Sequence, residues 1–488
     1  MLRTASCDKT GTVFLGQNYV YRTIVKSEVQ NVKEVLKLLG EETEGLVETE
    51  IVDIEKLPIE FADEKPSFLL RHRRVEAISY PHEWCALMLR DAALFQLSLI
   101  SKLYQKDLFF KDCHPLNILF ERGQPIFVDY TSIVTETMLF SEEFLNANKK
   151  RTINFTPSSY IDCIEEIFIR MFMPYFSKPL LFYAFGERSK ARERVENTTL
   201  NASTDSILLR QIFPKSLSIS KLSKLACLFR FYFFERSTFL MLRRSKNLPR
   251  FLSKLKRFIS SLPVSVGKSS YSDYYQEKSE NQDYSYSEDW NEKQTNVFEA
   301  INSKRINTVL DVACNTGWFS KMAERHGKFV KAFDVDEACV ELLYREVRDR
   351  KLNILPLVLD FTNLTKDRFS IYDGNPVLIN AADRLRSDSV IALGILHHLV
   401  LGLGLRVGDI IKYLDNLSIK QVVLEFIELD DQKITDEPEF FTEYFKDKSV
   451  ANDYNLENVL LSLENLGFEI TVKSSFPSTR KILVCNKI

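Results

Sequence analysis

The sequence lacks paired cysteines. Its eight cysteines stand at positions 7, 85, 113, 163, 227, 314, 339 and 485, with no Cys-x-x-Cys and no Cys/His spacing suited to zinc. That excludes a disulfide framework and a zinc module. Long hydrophobic runs are also missing. The two most apolar windows, Ile167 to Phe185 and Leu228 to Leu242, are interrupted by Arg170, Pro174, Lys178 and Pro179 and by Arg230, Glu235 and Arg236, so neither reads as a membrane span. The first residues, Met-Leu-Arg-Thr-Ala-Ser-Cys-Asp, show no apolar stretch of the signal-peptide kind. These absences predict a cytoplasmic protein with free thiols. Glycine is sparse, 15 in 488 residues, and no G-x-G-x-x-G stands near Gly11, where a nucleotide-covering loop would be sought. Excess charge is absent as well, at a formal −2, but residues 1 to 260 hold 38 Lys+Arg against 31 Asp+Glu while residues 261 to 488 hold 27 against 36. Two units with different surfaces are expected.

What is present is most concentrated at Asn307-Thr-Val-Leu-Asp-Val-Ala-Cys-Asn-Thr-Gly-Trp-Phe-Ser320. The pattern predicts a buried strand, a tight turn at Asn315-Thr316-Gly317 and a helix, with Asp311 at the strand's end. Such a turn at the carboxyl edge of a parallel sheet is where nucleotide-like ligands sit.

Residues 1–260 read as an α+β unit with a basic helical end. Two short β-type runs, Thr12-Val-Phe-Leu and Tyr19 to Val25, precede a helix at Val29 to Leu39. A long amphipathic helix is expected from Glu83 to Tyr104 on the stripe Trp84, Leu87, Met88, Ala92, Phe95, Leu99 and Leu103. Phe110-Lys-Asp-Cys-His-Pro-Leu-Asn-Ile-Leu-Phe120 follows, then Pro125-Ile-Phe-Val-Asp-Tyr130. Asp112, Asn117 and Asp129 resemble the Asp-x-x-x-x-Asn loop and the following metal-binding Asp of the protein-kinase and aminoglycoside-kinase fold. That resemblance implies an acceptor-orienting Asp112, with Asn117 and Asp129 holding magnesium on ATP and Lys26 or Arg22 as the nucleotide-side cation. Tyr130-Thr131 stands where kinases have Phe-Gly. Asp and Asn in such loops also bond their own backbone.

Residues 201 to 260 carry 13 Lys+Arg against 2 Asp+Glu. The helix around Arg250 puts Leu248, Phe251, Leu252, Leu255, Phe258 and Ile259 on one face. It either packs that face on the domain or meets a membrane surface or nucleic acid. Residues 261–287, rich in Ser and Tyr (Tyr271, Tyr274, Tyr275, Tyr284, Tyr286), form the linker, part of it a candidate lid.

From residue 288 to 488 helices and strands alternate, among them a helix at Trp290 to Ile301, strands at Thr308 to Val312 and Phe329 to Phe333 and a helix at Val407 to Leu417, which implies a doubly wound parallel sheet. The ending, Phe468 to Lys473 and Arg480 to Cys485, reads as a hairpin. A doubly wound sheet closed by an antiparallel hairpin resembles the class I S-adenosylmethionine-dependent methyltransferases, a Rossmann-like fold. Asp311-Val-Ala-Cys-Asn-Thr-Gly317 resembles their first motif with Ala313 and Asn315 in place of two glycines. The resemblance implies Asp311, Ala313, Asn315, Thr316, Gly317 and Trp318 around the methionine portion, Asp334 on the ribose, with Asp336 as its substitute, and Asp360 and Phe361 bracketing the adenine. Asp388 to Leu399 resembles the fourth motif, with His397 and His398 near the donor methyl. Ser79 to Trp84, Asp91-Ala-Ala-Leu, the Lys-Asp-x-x-x-x-Asn loop and the later motifs are similar, in order, to the nodulation-protein-like two-part methyltransferases.

The function expected is methyl transfer from S-adenosylmethionine to a small-molecule or glycan acceptor. A hydroxyl acceptor would need a base, for which His397, His398, Glu425 and Glu428 are candidates. The apolar tract Leu399 to Leu405 and the tyrosine-rich linker are candidate acceptor walls. Two alternatives stand beside this: a phosphotransferase using Asp112, Asn117 and Asp129 with ATP and magnesium, and a non-catalytic binding protein.

Overall fold

A computed structural model describes residues 2–3, 10–41, 43–53, 68–140, 157, 159–196, 234–269, 271, 284–365, 368–369, 376–436, 438–441, 443, 446–447, 449 and 452–488. Tyr274 and Tyr275 of the linker and the basic stretch before residue 234 lie outside the described residues.

The amino-terminal half begins with a five-stranded antiparallel sheet, β1 (Leu2–Arg3), β2 (Val13–Leu15), β3 (Tyr19–Thr23), β4 (Thr49–Ile51) and β5 (Leu69–Arg73), in the order β1-β2-β3-β5-β4. Helix α1 (Val29–Leu39) buries Val32, Val35 and Leu39, as its 3.6-residue apolar spacing requires. The long helix is shorter at its start than the stripe implies. Pro81–Glu83 forms a separate 3-10 turn in which the Glu83 carboxylate accepts the Tyr80 N–H, and α2 (Ala86–Tyr104) follows. Strands β6 (Leu108–Phe110) and β9 (Ile133–Thr135) pair with each other, while β7 (Ile118–Glu121) and β8 (Gln124–Phe127) make a hairpin. Its two turn residues, Arg122 and Gly123, both have positive φ, 50° and 69°, the twist a two-residue hairpin favours. The basic helix α3 (Leu248–Ser260) buries Leu248, Phe251, Leu252, Leu255 and Ile259 and packs against α2, so its apolar face is committed to the fold.

The carboxyl-terminal half is built on seven strands. Parallel β10 (Thr308–Val312), β11 (Phe329–Asp334), β12 (Ile354–Val358), β15 (Ser387–Ala392) and β16 (Ser418–Ile427) are joined by antiparallel β17 (Phe468–Ser474) and β18 (Arg480–Lys487) in the order β12-β11-β10-β15-β16-β18-β17. A two-stranded ladder, β13 (Arg368–Phe369) with β14 (Pro376–Leu378), stands apart from that sheet. The last strand thus inserts between β16 and β17, and Glu425 faces Ile482 in the register. Helices α4 (Glu292–Ile301), α5 (Trp318–Arg325), α6 (Glu337–Arg350) and α7 (Val407–Leu417) flank the sheet. α4 starts at Glu292 rather than at Trp290 because the Asn291 side chain caps it, accepting the Gln294 N–H at 3.0 Å.

The halves share buried side chains. Phe120 of β7 packs edge-on against Trp84 at 5.0 Å and against Tyr344 of α6 at 5.9 Å. The Tyr344 hydroxyl donates to Asp91 at 2.8 Å, and Arg348 pairs with the same carboxylate at 3.0 Å. Arg384 pairs with Glu83, both side chains almost fully buried; removing one partner of such a pair costs about 3–5 kcal/mol. Among the described residues no helix is long and apolar enough to cross a membrane.

Gly123 sits where the hairpin turn meets α6. A Cβ there would stand 2.6 Å from the Arg348 Cα and 2.7 Å from its nitrogen, at a φ of +69°. Gly327, which closes α5 in a Schellman turn, has a similar φ of +78° with open space around it. Gly123→Ala is therefore expected to cost about 1–3 kcal/mol more than Gly327→Ala in chemical denaturation. Equal losses would mean that the turn does not press on α6.

Candidate active site

The carboxyl edges of β10, β11, β12, β15 and β16 open on a cavity of about 570 Å³. The turn after β10 builds its floor. Ala313, Asn315 and Gly317 have φ of 56°, 51° and 75°, so all three positions keep a left-handed backbone although only one is glycine. Each non-glycine residue there costs roughly 1–2 kcal/mol. Gly317 alone has no room for a side chain, since a Cβ would meet Leu343 Cδ1 at 2.6 Å. Asn315 is held by its own amide: Oδ1 accepts the Thr316 N–H at 2.6 Å, and Nδ2 donates to the Tyr271 carbonyl at 3.2 Å.

Asp334 closes this turn against the end of β11. Its Oδ2 accepts the Asn315 N–H at 2.8 Å and its Oδ1 the Asp336 N–H at 2.9 Å. Burial raises its pKa. A carboxylate has lone pairs left after two such bonds, and these can accept the two hydroxyls of a ribose. Asp336 caps α6 instead, accepting the Ala338 N–H at 2.9 Å. Val335 is 71% exposed, an apolar side chain on the cavity wall with Leu359 and Phe361. Asp360 accepts from the Thr362 N–H and hydroxyl and from Asn363.

Asp311 is buried and accepts the Ser320 hydroxyl at 2.6 Å. Burial pushes its carboxyl up to about 7, against the Ser320 hydrogen bond. Thr316, Gly317 and Trp318 do not line the cavity; Trp318 is buried, its ring packed on Tyr284, Trp290 and Phe319.

At the β15–β16 side the cavity meets His397 and His398, whose rings lie 4.3 Å apart. His397 is 2% exposed, neither ring nitrogen has a hydrogen-bond partner among the described residues, and burial holds its pKa well below the usual range, so it is neutral at pH 7. Glu425, fully buried, pairs with Lys293 at 2.8 Å. Leu399, Gly402, Leu403, Phe440 and Tyr271 complete this end, with the rings of Tyr271 and Phe440 5.7 Å apart. Glu428 is not among the lining residues. Sequence reasoning missed Lys293: it belongs to a helix before the sheet and carries no local motif. Only its place in the first turn of a capped helix that leads into β10 could have drawn attention to it.

The amino-terminal acids form a separate cluster. Arg22 pairs with Asp129 at 2.6 Å, and Asp129 also accepts the hydroxyls of Thr131 at 2.7 Å and Ser132 at 2.6 Å. Burial would raise the Asp129 carboxyl, but Arg22 and these hydroxyls hold it at about 2. Asn117 donates to Ser132 at 3.2 Å, and Asp112 faces His114 at 3.0 Å. Lys26 is exposed. No group of three or more His, Cys, Asp or Glu suited to a metal occurs among the described residues.

The inserted antiparallel strand, the strand order and the acids on successive carboxyl edges are the fold of the class I S-adenosylmethionine-dependent methyltransferases. The chain is similar to nodulation protein NoeA of Rhizobium meliloti (strain 1021), 24% identical over 459 residues that span 88% of this chain and 85% of that protein. Among solved structures it is similar to magnesium protoporphyrin IX methyltransferase of Synechocystis PCC 6803 with bound SAM, at 15% identity over 40% of this chain and 77% of that one with a TM-score of 0.27. It is also similar to the N-methyltransferase NodS of Bradyrhizobium japonicum WM9, at 12% over 40% and 93% with a TM-score of 0.27. No family model matches the chain.

The raised Asp311 pKa has a stability consequence. A carboxyl at about 7 in the folded chain and about 3.9 unfolded favours the fold at low pH and loses that contribution as pH rises from about 4 through 7, up to about 4 kcal/mol. Relative to wild type, Asp311→Asn should gain stability between pH 5 and pH 8 in urea titrations. A pH-independent difference would contradict the assignment.

Proposed function

We propose that the chain transfers the methyl group of S-adenosylmethionine to a hydroxyl of a small-molecule or glycan acceptor. The observation that carries this reading is the left-handed turn at residues 313–317, bonded through the Asn315 N–H to Asp334 and opening into the cavity that ends at His397. When bound, S-adenosylmethionine supplies a sulfonium methyl for in-line displacement. The residues' part is mainly alignment and charge.

Asp334 is suited to the ribose hydroxyls and Asp360, with Phe361 and Val335, to the adenine. Lys293 and Glu425, a buried pair on the opposite side, match the carboxylate and ammonium of the methionine portion, with Asp311 as a second carboxyl on that side. His397 is the base we favour: neutral, with both nitrogens unpartnered, it can accept a hydrogen bond from an acceptor hydroxyl and take its proton as the methyl is transferred. His398 and Glu425 remain the neighbouring candidates. Tyr271, Phe440, Leu399 and Leu403 offer ring and aliphatic faces suited to the apolar face of a sugar or a small ring.

No observation in the amino-terminal cluster carries phosphotransfer. Asp129 pairs with Arg22, one of the two cations expected on the nucleotide side, and accepts the Ser132 hydroxyl, and ATP and magnesium do not enter this proposal.

Calorimetry tests the pocket. S-adenosylhomocysteine should bind wild type, and Asp334→Ala should weaken it by about a hundredfold, the loss of two charge-assisted hydrogen bonds. No heat with wild type, or equal affinity in the variant, would contradict the assignment. In thermal shift, ATP with magnesium should leave the melting temperature unchanged; a rise that Asp129→Asn removes would restore the phosphotransfer reading.

A further inference from the structure

Glu337 is a buried carboxylate that the proposed chemistry does not use. It opens α6 directly after Asp336 and three residues after Asp334. It is 7% exposed, and its partners come from the other half of the chain. Oε1 accepts the Ala86 N–H, the first of α2, at 3.0 Å. The Tyr183 hydroxyl hydrogen-bonds the same carboxylate, and Arg192 lies 3.7 Å from Oε2.

Arg192 makes a second contact on the same side of the sheet. It donates to the Val358 carbonyl at 3.3 Å, and also to the carbonyls of His82 at 2.7 Å and Trp84 at 3.5 Å. Val358 ends β12 two residues before Asp360. One guanidinium of the amino-terminal half therefore reaches the segment after β11 through Glu337 and the end of β12 directly. These are the two segments that carry Asp334 and Asp360. A second cavity of about 330 Å³, lined by Tyr80, His82 and Arg192 of the first half, shares Val335, Leu359 and Asp360 with the site cavity, so the first half reaches the outer wall of that pocket.

A loop carboxylate must be held to within a fraction of an ångström to accept two hydroxyls at once. The loops after β11 and β12 are joined by the backbone bond from the Leu359 N–H to the Asp334 carbonyl at 3.1 Å, and Arg192 lies behind both. We propose that Arg192 and Glu337 are positioning residues that set the separation of the Asp334 and Asp360 loops, so that the amino-terminal half is a working part of the donor pocket. The proposal rests on the reading of that pocket as the S-adenosylmethionine site. Helix Arg188–Glu196 buries Ala191 and Val195 and packs on the Pro81–Glu83 turn, which places Arg192 against the end of β12.

The test uses the full chain and three variants, Arg192→Gln, Glu337→Gln and Tyr344→Phe, with binding of S-adenosylhomocysteine and of methylthioadenosine measured well below each melting temperature. Tyr344→Phe removes a contact between the halves that touches neither loop and serves as the structural control. Arg192→Gln and Glu337→Gln should each weaken both ligands by about tenfold, equally for the two ligands because the adenosine end is common to them. The double variant should be weaker than the worse single by less than the two losses combined, since the Arg192–Glu337 contact is shared while Arg192 also reaches Val358 directly and Glu337 also holds the Ala86 N–H. Tyr344→Phe should bind as wild type does. Unchanged affinity in a folded Arg192→Gln, or an equal loss in Tyr344→Phe, would overturn the proposal. Wild type that binds neither ligand would instead overturn the donor-site reading beneath it. Should Glu337→Gln fail to fold, Arg192→Gln decides alone, because its side chain is partly exposed and the Glu337 carboxylate keeps the Ala86 N–H.

Discussion

Asp334 ties the site together with two short bonds. Its carboxylate accepts one N–H from the turn after β10 and one from the start of the segment after β11, so a single side chain fixes the spacing of two strand ends. The turn it restrains is costly to form. Residues 313, 315 and 317 all take left-handed backbone angles, and two of them carry side chains that resist it. Such strain persists where the surroundings over-determine it, and here the surroundings are Asp334, the Asn315 amide bonds and the Leu343 side chain beneath Gly317. Of the three positions, the one that keeps glycine is the one where a Cβ would meet the Leu343 side chain.

The same segment is gripped from behind. The amino-terminal half meets α6 at both ends: Ala86, Tyr183 and Arg192 on Glu337 at its start, and Asp91 and the β7–β8 turn on Tyr344 and Arg348 near its close. Buried polar contacts of this kind add little net stability but penalise any other arrangement, because each group loses its partner if the halves shift. The segment Ser79 to Trp84 has a role on the same terms. It carries Glu83 to Arg384, offers its carbonyls to Arg192, follows directly on Ile78, whose carbonyl accepts from Arg384, and stacks Tyr80 under the Arg384 guanidinium at 4.4 Å.

Much of the carboxyl-terminal half was legible in the sequence because its information is local. A buried strand, a glycine-poor turn, an acid at each successive strand end and a closing hairpin are patterns of period and spacing, and β10, β11, α7 and the β17–β18 hairpin lie where those patterns place them. Boundaries moved where a side chain intervened: Asn291 caps α4 two residues late, and Glu83 turns the start of α2 into a separate 3-10 turn. The turn's left-handed angles at Ala313 and Asn315 could be read only by analogy with glycine positions. Lys293, Arg192 and Glu337 were illegible, since each acts across more than a hundred residues on a partner that no local pattern announces. Asp112, Asn117 and Asp129 show the converse. Their spacing is legible along the chain, yet the partner of Asp129, Arg22, comes from 107 residues away.

The most direct measurement is a crystal structure with S-adenosylhomocysteine. Both ribose hydroxyls should lie within hydrogen-bond distance of Asp334, the adenine should sit between Val335 and Phe361, and the amino-acid end should face Lys293 and Glu425. Ligand density elsewhere in the fold, or a ribose out of reach of Asp334, would contradict the account.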